Sequence, residues 1–332
     1  MKHYDAEIFD LIDKKDDCAS FLDDLEAARK GDLTAQFNTG YNYFHGIGVN
    51  QNYQEAFLWF STAAERNHPD SLFMLGLMNQ EGHYICSNPQ RAIKLFHQAA
   101  ELGNADAQGM LAMLYDSGDG VPRDPVKALF WLQKAADNDD GFSQMMLGYR
   151  YYYGKETALD YAKAFKWFKR SSENLEPNVW TVLGDCYLQG LGTKRDVRKA
   201  LDCYRHGAEW SNGEDLWRLA YCHYYGIGTR QDTQAALDCV QPVKDWLMPR
   251  CWFLLGEIYS DEKFSGRDEA QAADWYRKAA EQKHPLACQR YAHCLQKGKG
   301  VKADLVAAAL WFRNSADYFA ELEASRLSSG IF

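Results

Sequence analysis

A small residue returns every 36 positions along this chain of 332 residues: Gly40, Gly76, Ala112, Gly148, Gly184, Ala220, Gly256 and Ala292. Sixteen residues after each stands an alanine, Ala56, Ala92, Ala128, Ala164, Ala200, Ala236, Ala272 and Ala308. Eight units in strict phase constrain the fold severely, because a period of about 20 to 50 residues marks a stacked array rather than one globular core.

The third unit shows what is stacked. Ala107, Leu111, Ala112 and Tyr115 recur at spacings of three and four, the period of a helix buried on one side, here called helix A. Gly118 and Gly120 close it, since glycine accepts the left-handed conformation of a helix C-terminus. Asp124 before Pro125 is then the N-cap and first position of a second helix, helix B, which carries Ala128, Trp131, Leu132, Ala135 and Ala136. The cap position reads Asn52, Asn88, Asp124, Asp160, Asp196, Asp232, Asp268 and Asp304, good cap residues in all eight units. The small residues predict close crossings of paired helices. Trp59, Trp131, Trp167, Trp275 and Trp311 share one helix B position and are expected to fill the space between units.

Ala107, Leu111, Tyr115, Gly118, Gly120, Val121, Asp124, Lys127, Ala128, Trp131, Lys134, Ala135 and Ala136 together form a pattern that resembles the Sel-one-like repeat family, relatives of the tetratricopeptide repeats. Ala112 stands where that pattern has glycine. The resemblance runs from about Thr34 onwards. It implies an all-α, right-handed superhelical solenoid of eight 36-residue helix-turn-helix repeats, serving as a scaffold or adaptor for other proteins.

On this reading residues 1–32 are an acidic N-terminal cap, 33–317 the eight repeats as one elongated unit, and 318–332 a C-terminal capping helix. Within the first segment, Ala19 to Lys30 is expected to be a lone helix B, preceded by a short helix around Ile8 to Ile12. Tyr318 to Leu327 is expected to cover repeat 8. Three repeats depart from the pattern in the loop: Tyr84 and Glu156 replace the second glycine of repeats 2 and 4, and Glu262 and Phe264 replace both in repeat 7. Pro242 lies inside helix B of repeat 6, so that helix should kink or stop near Gln241, with an abnormal angle between repeats 6 and 7.

The formal charge is −9, with basic residues interspersed among acidic ones, so no concentrated basic surface for nucleic acid is expected. No window reaches membrane-spanning length, and the charged N-terminus MKHYDAEIFDLIDKKDD lacks a signal-peptide core. A cytoplasmic location is therefore expected. Paired glycines such as Gly46 and Gly48 follow helices rather than strands and recur with the period, which identifies turns rather than phosphate loops. With no P-loop, nucleophile elbow or zinc-protease histidine pair, neither an enzyme nor a cofactor is expected.

Nine cysteines invite three readings. Cys186 and Cys203 of repeat 5 occupy the positions of Cys222 and Cys239 in repeat 6, and Cys294 repeats the first of them. They are buried thiols, or interhelical disulfides as in exported members of the resembled family, or zinc ligands with His206 or His223.

The resemblance also implies where a ligand binds. In tetratricopeptide-type arrays the concave face is formed by helix A positions −6, −3, +1, +4 and +5 from the small residue. Here those positions hold Phe37, Tyr41, Phe44 and His45 in repeat 1, and Phe142, Met145, Tyr149, Tyr152 and Tyr153 in repeat 4. Repeat 6 contributes Trp217, Tyr221, Tyr224 and Tyr225, while Asp185, Glu257 and Asp261 of repeats 5 and 7 add acidic patches. Such an aromatic and acidic groove is expected to bind a protein, as a peptide or a folded domain with a basic or mixed surface. An adaptor is the leading expectation, a cytosolic immunity protein that neutralises a bacterial toxin is the alternative, and an enzyme with its site in the groove is a distant third.

Overall fold

The computed structural model describes residues 17–174, 176–210, 213–246 and 248–329, with side chains through residue 324. Every regular element among them is helical. Helix α1 covers 17–29. Helices A are α2 (Leu33–His45), α4 (Pro69–Glu81), α6 (Ala105–Ser117), α8 (Gly141–Tyr153), α10 (Val179–Gln189), α12 (Gly213–Tyr225), α14 (Pro249–Ser260) and α16 (Pro285–Lys297). They alternate with helices B, which are α3 (Tyr53–Ala64), α5 (Pro89–Glu101), α7 (Pro125–Asp137), α9 (Tyr161–Glu173), α11 (Val197–Glu209), α13 (Thr233–Val240), α15 (Glu269–Glu281) and α17 (Leu305–Ser329). The result is an α-solenoid of eight helix pairs. It divides into two compact units, Met1–Arg150 and Tyr151–Phe332.

The caps fall in register. All eight cap side chains accept backbone N–H groups of the helix B they precede, from Asn52 to Asp304. The helix A small residues are explained by what lies over them. A β-carbon at Gly40 would meet the Phe60 ring, and in the same way Gly76 lies under Phe96, Gly184 under Tyr204 and Gly256 under Tyr276. These rings are almost wholly buried, so the main core residue of each such pair sits one position after the tryptophan column singled out from the sequence. Trp131, Trp275 and Trp311 are partly buried against neighbouring clusters, between repeats as expected.

The second loop glycine has a separate reason. Gly192, at φ 68°, lies against the Tyr161 carbonyl of the preceding repeat, and Gly300 against that of Glu269. Where the glycine is absent, Tyr84 and Glu156 still adopt φ of 65° and 60°, so the loop shape is kept at the cost of a strained backbone.

In the first unit α1 covers repeat 1, burying Phe21 and Ala28, with Phe21 edge-on to Tyr43 at 5.2 Å. The expected short helix at Ile8 to Ile12 lies outside the described residues. In the second unit, repeat 8 does not end in a separate capping helix. Helix B continues unbroken as α17 to Ser329, and Tyr318 packs on the core cluster under Lys283.

Pro242 acts as its geometry dictates: α13 ends at Val240 and a single 3-10 turn, Gln241–Val243, replaces its last turn. The carbonyl of Lys244 is satisfied by the Trp252 indole, which donates from Nε1 at 2.7 Å. Trp252→Phe keeps the ring's packing but strands that carbonyl, and is expected to cost about 1 kcal/mol in denaturant unfolding.

Candidate partner-binding surface

Ladder geometry decides which helix A side chains are available. Positions −3, +1 and +5 are successive i, i+4 neighbours on one stripe of a helix. On α12 they are Trp217, Tyr221 and Tyr225, with ring centroids 5.6 Å and 4.5 Å apart, and the two tyrosines are 39% and 46% exposed. On α2 the same positions hold Phe37, Tyr41 and His45, at 5.9 Å and 4.3 Å, with Tyr41 and His45 exposed. On α8, Phe142 and Tyr153 are exposed and Tyr149 half-buried, whereas Met145 is only 6% exposed and belongs to the core.

Position +4 behaves differently. Phe44, Tyr152 and Tyr224 are half-buried. Phe44 packs on Tyr53 and His83, Tyr152 on Tyr161 and Phe168, and Tyr224 donates to the Glu257 carbonyl at 3.2 Å. These rings serve packing between helices.

The acidic positions are not open. Asp185 accepts from the Tyr204 hydroxyl at 2.7 Å and pairs with Arg218 at 2.9 Å. Burial pushes its pKa up despite the nearby guanidinium. Glu257, 9% exposed, accepts from Tyr276 at 2.7 Å and from Nε and Nη2 of Arg290 at 2.7 and 3.0 Å. The two constellations are the same motif two periods apart: an acid at +1, the core tyrosine of helix B, and an arginine 33 residues after the acid. Neither tyrosine nor arginine was singled out from the sequence, although each pair is separated by 72 residues. Asp261 accepts from the backbone of Lys263 at 2.9 Å and ends α14. Asp185 and Glu257 are thus paired with arginines, while Asp261 is held by hydrogen bonds alone. Glu257→Ala would leave Arg290 without its acceptor and Tyr276 with only the Ser260 hydroxyl at 2.9 Å; we expect a loss of about 2 kcal/mol, read from the melting midpoint.

Three consecutive helices A of this unit enclose a cavity of about 180 Å³. Trp217, Tyr221 and Tyr225 of α12 form one wall, and Phe253 of α14 with His284, the N-cap of α16, and Leu286 form another. Phe253 and His284 are stacked at 4.8 Å and 21°. Arg250 also lines it, lying over the Trp217 ring at 5.4 Å while bonded to Glu214 at 3.2 Å. Phe253 occupies position −3 of repeat 7, so the offsets that found Trp217 would have found it too.

None of the nine cysteines is bridged. Burial pushes the Cys186 and Cys203 thiols up to about 12, which keeps them protonated and poor nucleophiles. Among the described residues no three His, Cys, Asp or Glu side chains gather as a metal site, and no helix is long and apolar enough to cross a membrane.

The Sel1 repeat family model matches eight segments, 33–68, 69–104, 105–140, 141–174, 182–209, 214–241, 253–284 and 285–317. Among solved structures, the chain is similar to a protective antigen of uropathogenic Escherichia coli strains that displays an SLR fold. Identity is 27%, over 93% of this chain and 67% of that one, with a TM-score of 0.75. A Sel1 repeat protein from Oxalobacter formigenes is 25% identical over 92% of this chain and 89% of its own, with a TM-score of 0.56. The sequence matches no curated protein. Eight matched segments in one unbroken phase, folded as eight helix pairs, make this chain a member of the Sel1 repeat family.

Proposed function

We propose that the protein is a non-catalytic scaffold that binds another protein through the helix A face, and that it works in the cytoplasm as an adaptor. The observation that carries this reading is the aromatic ladder of α12, where Tyr221 and Tyr225 stay exposed above Trp217 although packing within the repeat does not require them. Tyrosine and tryptophan anchor interfaces because each buries a large area at small cost in side-chain entropy and keeps a polar handle. The nine unbridged cysteines suit a reducing compartment. With Asp185 and Glu257 held by arginines, the partner surface this face suits is apolar with a few polar contacts, rather than strongly basic.

The test compares affinity capture from the native cell extract by the wild-type chain and by Tyr221→Ala/Tyr225→Ala. Both side chains are partly exposed, at 39% and 46%, so the variant should keep its fold, which its helical spectrum and melting midpoint check first. A partner retained by wild type and lost by the folded variant supports the reading, and its identity separates an adaptor from an inhibitor of a toxin. Equal capture by both rejects the α12 face.

A further inference from the structure

The cavity between α12, α14 and α16 carries more information than an apolar patch would, because beside the tyrosine hydroxyls its polar groups are nitrogen donors and none is a carboxylate. His284 Nδ1 accepts from the Ala287 N–H at 3.2 Å, so that nitrogen is unprotonated. Burial, with Arg250 nearby, lowers the pKa of the ring to about 4, so His284 is neutral and its one hydrogen is on Nε2. Among the described residues no acceptor takes that hydrogen. The second polar group is the Arg250 guanidinium, whose side chain is 59% exposed. Glu214 engages it from α12 at 3.2 Å, but that carboxylate is shared with Arg218 at 3.3 Å and does not line the cavity. The lining thus offers N–H donors among aromatic and aliphatic walls, and no carboxylate.

Size and charge narrow the occupant. At about 180 Å³ the cavity is smaller than the roughly 300 Å³ at which small-molecule sites begin, which suits one side chain of a partner. The surrounding unit does not repel an anion: residues 151–332 hold 25 lysines and arginines against 24 carboxylates, whereas residues 1–150 hold 12 against 22.

We propose that this cavity selects a protein segment bearing one apolar side chain next to an aspartate or glutamate, the apolar group entering between Tyr221, Tyr225 and Phe253 and the carboxylate pairing with Arg250. This rests on the reading of the α12 face as a binding surface and adds the chemistry of what binds there. Charge complementarity is the ground for it, since His284 and an arginine whose one carboxylate partner is shared sit beside an apolar opening.

The experiment uses the full chain and fluorescein-labelled, C-terminally amidated Gly/Ser dodecapeptides followed by polarisation at low ionic strength. One carries Leu-Glu at its centre, one Leu-Gln and one Ser-Glu. The Leu-Glu peptide should bind about fivefold tighter than Leu-Gln, as suits a pair with a partly exposed arginine. Ser-Glu should bind far more weakly. In Arg250→Gln the preference for glutamate should vanish while Leu-Gln binds as before; Glu214 keeps Arg218, so this variant should fold. Leu286→Trp, which fills the cavity, should abolish binding of all three. Equal affinity for Leu-Glu and Leu-Gln, a preference that survives Arg250→Gln, or no binding by any peptide overturns the proposal. If the peptides show no preference while Tyr221→Ala/Tyr225→Ala still loses the native partner, the acidic-anchor rule falls and the aromatic surface stands.

Discussion

Gly192→Ala is expected to destabilise the protein by more than about 3 kcal/mol, while Gly103→Ala costs about 1 kcal/mol. Both glycines have positive φ, 68° and 95°, so both substitutions incur the strain of placing a β-carbon in the left-handed region. They differ in what the new atom meets. At Gly103 nothing lies within 4 Å, whereas at Gly192 the β-carbon would overlap the Tyr161 carbonyl and carbon, backbone atoms that move only if the start of α9 moves. The difference between the two losses therefore isolates the contact between the loop of one repeat and helix B of the one before it. Thermal melting of the two variants beside wild type measures it, and equal losses would contradict the close approach.

Asp215→Ala is expected to stabilise the protein, and to do so more at pH 8 than at pH 4. Asp215 is fully buried, and beyond a marginal contact from Thr181 neither carboxylate oxygen has a hydrogen-bond partner. Burial pushes its pKa up from 3.8 to about 7, outweighing the opposing pull of Thr181 and Arg218. The folded chain thus holds this proton more tightly than the unfolded chain. Its contribution is least unfavourable below the unfolded pKa, worsens as pH rises from about 4 to about 7, and is constant above that. A shift of about three units corresponds to at most about 4 kcal/mol, so a gain of about 2–4 kcal/mol is expected at pH 8. Alanine fits, because the same register position is a buried alanine at Ala35, Ala107 and Ala287. Unfolding by urea at the two pH values is the check, and a pH-independent effect would contradict it.

Local signals in the sequence carried most of the fold. The 36-residue phase, the cap column from Asn52 to Asp304 and the break at Pro242 each depend on a few neighbouring residues, and each places its helix end. What lay hidden depends on which residues meet between repeats. Phe96 and Tyr204 look like ordinary helix B residues until they are seen over Gly76 and Gly184. Gly192 looks like a turn residue until Tyr161 is beside it. Along the surface, offset arithmetic picked out Tyr221 and Tyr225, which are exposed, but gave the same weight to Met145, which is core, because a helical offset fixes direction and not the depth of the neighbouring helix. Asp185 and Glu257 read as exposed acids for the same reason: their arginines arrive from the next repeat. The 72-residue recurrence of acid, tyrosine and arginine was the available signal, and it becomes visible only once the three positions are considered together.

The most direct test of the binding surface is amide hydrogen exchange on the purified complex with the captured partner, against the free chain. Slowed exchange is expected on α12 and α14, around Trp217, Tyr221, Tyr225 and Phe253. Unchanged exchange on both helices, with slowing confined to the loops that precede helices B, would contradict it.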